Sequence, residues 1–213
     1  MDGSRIQSLV YRGYALSAAR VGLPYQHYQP SGPSNPLAPA NLLGMLPAAF
    51  SVDRYKFQRE DGYGTPEHQA LVDGSQIVVG DYLVGPSGTY FIGALNPLVP
   101  ILAIECNGVL SFTRPGVATP GFGAVGYGQA DPGTALLTAW PASLLQGTKG
   151  EKADDGLPRD SRQPWYAALL PAVGGAEIRT DDEAVDARGH RYTVSSAELT
   201  DKGWRLSLAY AGT

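Results

Sequence analysis

A mainly β chain, made of small barrel or sandwich modules with one unit used twice, is the fold class this sequence predicts. Two observations carry the prediction. The first is internal: Ile77, Asp81, Val84, Gly88, Tyr90 and Ile92 are echoed by Ile178, Asp182, Val185, Gly189, Tyr192 and Val194. The gaps agree except for one extra residue between glycine and tyrosine in the second copy. Each copy reads as a strand, a glycine turn and a second strand opening at the tyrosine. The second observation is compositional. The 213 residues include 27 glycines and 17 prolines, and only 17% are charged. That is rich in turn formers beside the roughly one-eighth share these two residues usually hold. It suits short strands and ordered loops better than a helical bundle.

Taken in order, residues 4–20 are the best helix candidate. Ile6, Leu9, Val10, Tyr14, Ser17 and Val21 fall near one stripe, Ser4 can cap the start, and Gly22 with Pro24 marks the stop. Residues 22–49 carry Pro24, Pro30, Pro33, Pro36, Pro39 and Pro47, which favour an extended or polyproline course. They read either as a flexible linker or as an arm lying on another chain. On the second reading Tyr25, His27, Tyr28 and Leu37 are the expected contacts. Alternation of Tyr55 and Phe57 suggests a strand. Further strands are expected at 68–72, 77–84 and 90–95. Residues 101–106 and 109–112 then form a hairpin, or one bulged strand, through Asn107-Gly108. Residues 115–133 read as a Gly/Pro loop. Residues 134–145 read as a strand whose Pro141 argues for an edge. The charges of 146–163 mark a loop or linker. Trp165–Leu170, Ile178–Val185, Tyr192–Ala197 and Trp204–Tyr210 repeat the β pattern. The expected division is a helix (1–21), a Pro/Tyr-rich arm and lead-in (22–65), a first β module (66–145), a charged loop (146–163) and a second β module (164–213). The recognisable repeat, four strands each, spans about 66–114 and 164–213.

Charge narrows the function. The net charge of −4 offers no basic groove for nucleic acid. The first twenty residues, with Asp2, Arg5, Arg12 and Arg20, are too charged for the apolar core of a secretory leader. No run approaches the length of a membrane helix.

Few residues invite chemistry. The lone cysteine, Cys106, alternates with Leu102 and Ile104 and reads as buried. His27, His68 and His190 lack metal-ligand spacing. Cys106 with His68 makes a weak hydrolase pair without a third member. Asp181, Asp182, Glu183 and Asp186 lack the glycine and terminal glutamate of a calcium loop. Asp182, matched by Asp81, reads as a turn cap. Gly85-Pro86-Ser87-Gly88 reads as a β-turn rather than a nucleophile elbow or phosphate loop. No catalytic, cofactor-binding or metal residue is therefore expected. Trp140, Trp165 or Tyr127, if exposed, could form a stacking platform for carbohydrate or a receptor.

The stretch Val79-Gly80-Asp81-Tyr82-Leu83-Val84 followed by Gly88-Thr89-Tyr90-Phe91-Ile92 resembles the hairpin of small β-barrel head–tail connector proteins of tailed bacteriophages, the stopper and head–tail-joining families among them. Gly189 through Val194 and Gly203-Trp204-Arg205-Leu206 are similar in style. The resemblance covers roughly half the chain, by motifs common to many β-hairpins. It implies a noncatalytic virion subunit, made in the host cytoplasm, that forms a ring at the neck or in the tail. Its partners would be copies of itself and portal, adaptor or tail proteins, with no cofactor, no membrane and no specific nucleic acid.

Overall fold

The computed structural model describes residues 3–51, 64–116, 133–147, 164–172 and 175–212. It is mainly β, with one long helix, α1 (Gly3–Val21), leading into the strands. The first six strands are β1 (Leu23–Tyr28), β2 (Leu42–Ser51), β3 (Glu67–Leu71), β4 (Tyr82–Gly85), β5 (Gly88–Ala94) and β6 (Ile101–Cys106). The next six are β7 (Gly108–Arg114), β8 (Thr134–Gln146), β9 (Trp165–Leu170), β10 (Glu183–Asp186), β11 (Arg191–Thr200) and β12 (Gly203–Gly212). They close into two barrels, ordered β1-β2-β3-β6-β5-β4 and β7-β8-β9-β12-β11-β10. In each, three successive strands form a meander and the fourth returns to lie beside the first, a Greek key.

The two orders are one order, and the registers agree as well. Tyr25 opposes Leu46 where Leu110 opposes Trp140. Leu83 opposes Tyr90 where Ala184 opposes Tyr192. Ala49 opposes Leu71 where Ser143 opposes Leu169, and His68 opposes Ala103 where Tyr166 opposes Leu208. The ladders even slip at the same point, between Ile92 and Ala94 and between Val194 and Ser196. The duplicated unit is therefore a whole six-stranded barrel. The repeat visible in the sequence is part of that unit, clearest in its β4–β5 hairpin and the matching β10–β11 hairpin, with β3 and β9 ahead of them.

This redraws the expected divisions. The 22–49 segment is no free arm, because it supplies β1 and β2 of barrel 1, with Tyr25 and His27 buried inside. Asn107 does not turn a hairpin: β6 and β7 belong to different barrels. Its side chain bonds both backbone groups of Leu144 instead, so it acts as a strap between the barrels. Pro141 lies in a closed wall rather than at an edge, before the β8–β9 ladder begins at Ser143. The expected strand at Tyr55 and Phe57, most of the 115–133 loop and most of the 146–163 loop lie outside the described residues.

Apolar alternation fills both interiors. Leu83, Tyr90, Ile92, Ile101 and Ala103 point into barrel 1, and Ala184, Tyr192, Val194, Leu206 and Leu208 point into barrel 2. The outward residues of β4, β5 and β6 differ. Tyr82, Phe91 and Ile104 are apolar and buried, because they pack against barrel 2. The Tyr82 ring stands edge-on to Trp140, and its hydroxyl donates to the Pro141 carbonyl at 2.8 Å. Helix α1 covers β2 and β3, the wall that corresponds to the β8–β9 wall lining the contact with barrel 1. Among the described residues no helix is long and apolar enough to cross a membrane.

Candidate functional site

Each barrel contains one buried carboxylate in the same place. Asp81 closes a turn: its side chain accepts from the Val78 N–H at 2.9 Å, while its own N–H donates to the Val78 carbonyl at 3.2 Å. Asp182 repeats both bonds with Arg179, at 2.7 and 3.3 Å. The residue before each aspartate is left-handed, Gly80 in one barrel and Asp181 in the other. The turn-cap reading of this pair holds. What the sequence does not reveal is how each charge is balanced. In barrel 1 His27 Nε2 lies 2.7 Å from Asp81 Oδ2 and Gln29 donates to Oδ1 at 3.3 Å. In barrel 2 Arg114 grips both oxygens of Asp182, at 2.9 and 3.0 Å. Counting along β1 and β7 from the pairs Tyr28–Tyr82 and Thr113–Glu183 makes Gln29 the counterpart of Arg114 and His27 that of Phe112. The two barrels thus place the counter-group two residues apart on matching strands.

The other expected side chains are scattered. Tyr25 bonds Ser87 through its hydroxyl and packs edge-on to Phe50 and Tyr90. Tyr28 and Leu37 pack against the apolar cluster at the seam between the two barrels of this same chain. The loop between them also reaches barrel 2: the Pro33 carbonyl accepts from Trp140 Nε1 at 2.9 Å and from the Thr138 N–H at 3.0 Å. Trp140 is in the core and Trp165 half-buried, while Tyr127 lies outside the described residues. Cys106 and His68 are not brought together. His68 faces Tyr90 inside barrel 1, and its Nε2 lies 3.2 Å from Glu105. Cys106 packs on the outer side towards barrel 2. Burial, with the Glu105 charge beside it, pushes its thiol far above the usual range, the opposite of an activated nucleophile. The acidic run disperses: Asp182 turns inward to Arg114 and Asp186 bonds His190. Among the described residues no three His, Cys, Asp or Glu side chains gather as a metal site would require.

Two of the concave surfaces bear on function. A groove of about 500 Å³ runs between the barrels, floored by Phe91, Leu102, Ile104, Leu145, Leu169 and Trp204 and rimmed by Glu67, Asp201, Lys202 and Arg205. A recess of about 490 Å³ lies at one end of barrel 2, against Tyr166, Tyr192, Asp186, Arg188 and His190. His190 is the extra residue of the second repeat, since Thr89 and Arg191 occupy matching positions on either copy. That insertion was visible in the sequence; its meaning was not. Burial alone would lift the Asp186 carboxyl, but hydrogen bonds from the His190 ring and from the His190 and Arg188 N–H groups outweigh it and hold the group below its ordinary value. Burial, then the Asp186 charge, pushes the Tyr192 phenol up to about 12. Compared with protein-family models, curated proteins and solved structures, the chain matches none.

Proposed function

We propose that this chain is a noncatalytic structural subunit that assembles with copies of itself, in a ring at the neck or in the tail of a tailed-phage particle. One observation carries the assembly reading. The outer face of β1 and β2 presents Leu43 and Met45 at 60% and 57% exposure, with Pro24, Gln26 and Pro47 beside them and no charge. A contiguous uncharged apolar strip of this kind marks a protein–protein contact rather than a free surface. Among the described residues both barrels are closed and offer no strand edge for pairing, which favours association through such faces. The phage setting rests on the resemblance of the Gly80–Ile92 hairpin.

The test is the mass of the purified chain by light scattering, compared with the Leu43→Glu/Met45→Lys variant. Both side chains are exposed, so the barrel survives the change. A closed oligomer for the native chain that dissociates in the variant supports the reading. A native chain that stays monomeric at tens of micromolar overturns self-assembly. Portal and capsid genes beside its own gene would support the particle setting, and a neighbourhood without any virion gene would count against it.

A further inference from the structure

We propose that the recess at the end of barrel 2 binds one sugar unit of a glycan, a role separate from assembly. The duplication supplies the internal comparison. In barrel 1 the corresponding end is plugged: Phe50 stacks on Tyr90 with ring centroids 3.8 Å apart and planes 7° from parallel, and Tyr25 closes against both. The matching residues of barrel 2 are Leu144 and Leu110, so both rings are gone. Tyr166 replaces His68, and Tyr166 and Tyr192 meet edge to face at 5.4 Å. The turn above them is lengthened by one residue, His190, which faces the recess. One barrel has therefore closed this end with its own side chains, and the other has lined it with tyrosines and polar groups.

The lining selects the ligand. Asp186 is saturated: Oδ1 accepts the Arg188 and His190 N–H groups at 2.8 and 2.9 Å, and Oδ2 takes His190 Nδ1 at 2.9 Å and the Tyr192 hydroxyl at 3.3 Å. Because a carboxylate only accepts, His190 Nδ1 must carry the proton, which leaves Nε2 as an acceptor in the neutral ring. Arg188 lines the same recess and is exposed, offering several donors. A fixed negative charge and a fixed positive charge side by side disfavour a ligand of either strong sign. They suit a neutral molecule with donors and acceptors on adjacent atoms, such as the vicinal hydroxyls of a pyranose. Its C–H face can lie on the half-buried Tyr166 ring, which Tyr192 backs from below, and the volume falls within the roughly 300–1,000 Å³ usual for small-ligand sites.

Saturation-transfer NMR on the full chain tests this, with methyl glycosides of glucose, galactose and N-acetylglucosamine and short oligosaccharides of each. Transfer to at least one probe is expected. It should weaken about three- to tenfold in Arg188→Ala and in His190→Ala, the loss of one hydrogen bond each. It should not change in Arg205→Ala, which lies on the outer wall. Deleting His190, which restores the turn length of barrel 1, should abolish it, while an unchanged circular dichroism spectrum verifies folding. Absence of transfer from every probe, or transfer indifferent to these changes, overturns the proposal. So does saturable binding of inorganic phosphate or tetramethylammonium in place of any sugar. Oligomeric mass is expected to be the same in every variant, so failure here leaves the assembly reading standing.

Discussion

Asp81 and Asp182 pose the same electrostatic problem, and each barrel solves it with a different base. Both side chains are almost fully buried, at 1% and 2% exposure, and an uncompensated charge at such a depth is costly. Barrel 1 places His27 inside the wall and Gln29 beside it. Barrel 2 fills the inner position with Phe112 and brings Arg114 from two residues further along. His27→Phe alone should therefore cost about 3 kcal/mol, because it strands Asp81. Adding Gln29→Arg recreates the arrangement of barrel 2 and should recover most of that loss. Urea melts of the single and double variants check both, and a double variant no better than the single would mean that the two sites are not interchangeable. Tyr192 gives a test in alkali. A tyrosine whose folded pKa is about 12, above the unfolded value of about 10, keeps its full contribution to stability below pH 10 and loses it as pH rises through 12. The phenolate absorbance of the native chain minus that of Tyr192→Phe should titrate near 12, and a midpoint near 10 would place the ring in water.

At the scale of elements, the turns were legible and the proline-bearing strands β1 and β2 were not, although β8 with its Pro141 was. The hairpins at β4–β5 and β10–β11 share Asp, Gly and Tyr because buried turns admit few residue types. Strands β1–β3 and β7–β9 share a burial pattern and few large residues: Tyr25 becomes Leu110, Leu46 becomes Trp140 and Phe50 becomes Leu144. Interior positions accept any apolar side chain of workable volume, so β1 and β2 went unmatched with β7 and β8 in the sequence, while β3 and β9 were paired. Proline density hid β1 and β2 further. Pro24 and Pro47 oppose one another, Pro24 lies beyond the β4 ladder and Pro47 before the β3 ladder, so each flanks only one neighbour. Pro141 repeats the position of Pro47 in barrel 2. The helix at the start was read almost to its ends. The comparison of turns also yields a stabilising change. Asp181 has φ 71°, and its counterpart Gly80 has φ 94°. A side chain in this left-handed region costs about 1 kcal/mol that glycine avoids. Asp181→Gly should raise the midpoint of thermal unfolding by a few degrees, and calorimetry showing a fall would mean that the aspartate makes a compensating contact.

In the whole molecule the two copies have diverged where they meet. The outer wall of β4–β6 carries Tyr82, Phe91 and Ile104 in barrel 1; barrel 2 has Glu183, Thr193 and Ala209 at the same register. The first set is buried against the neighbouring barrel, while Glu183 is exposed and Thr193 and Ala209 are partly so. An identical pair of barrels would repeat this contact indefinitely, because a face-to-back interface that does not close builds an open array. The polar set on barrel 2 removes the adhesive face, and α1 occupies the receiving wall of barrel 1. The stacking therefore stops at two, and any larger assembly has to use another surface, such as the apolar strip on β1 and β2. The same divergence makes the barrels energetically one body. Burial of two aromatic rings and an isoleucine, each contributing about 1.5–3 kcal/mol, joins interiors that could otherwise unfold separately. Writing the residues of barrel 2 into barrel 1, as Tyr82→Glu/Phe91→Thr/Ile104→Ala, should split unfolding by calorimetry from one transition into two, each close to half of the native enthalpy. A single transition shifted to lower temperature would instead place the coupling in the Asn107 strap and the Pro33 loop, which the triple variant leaves intact.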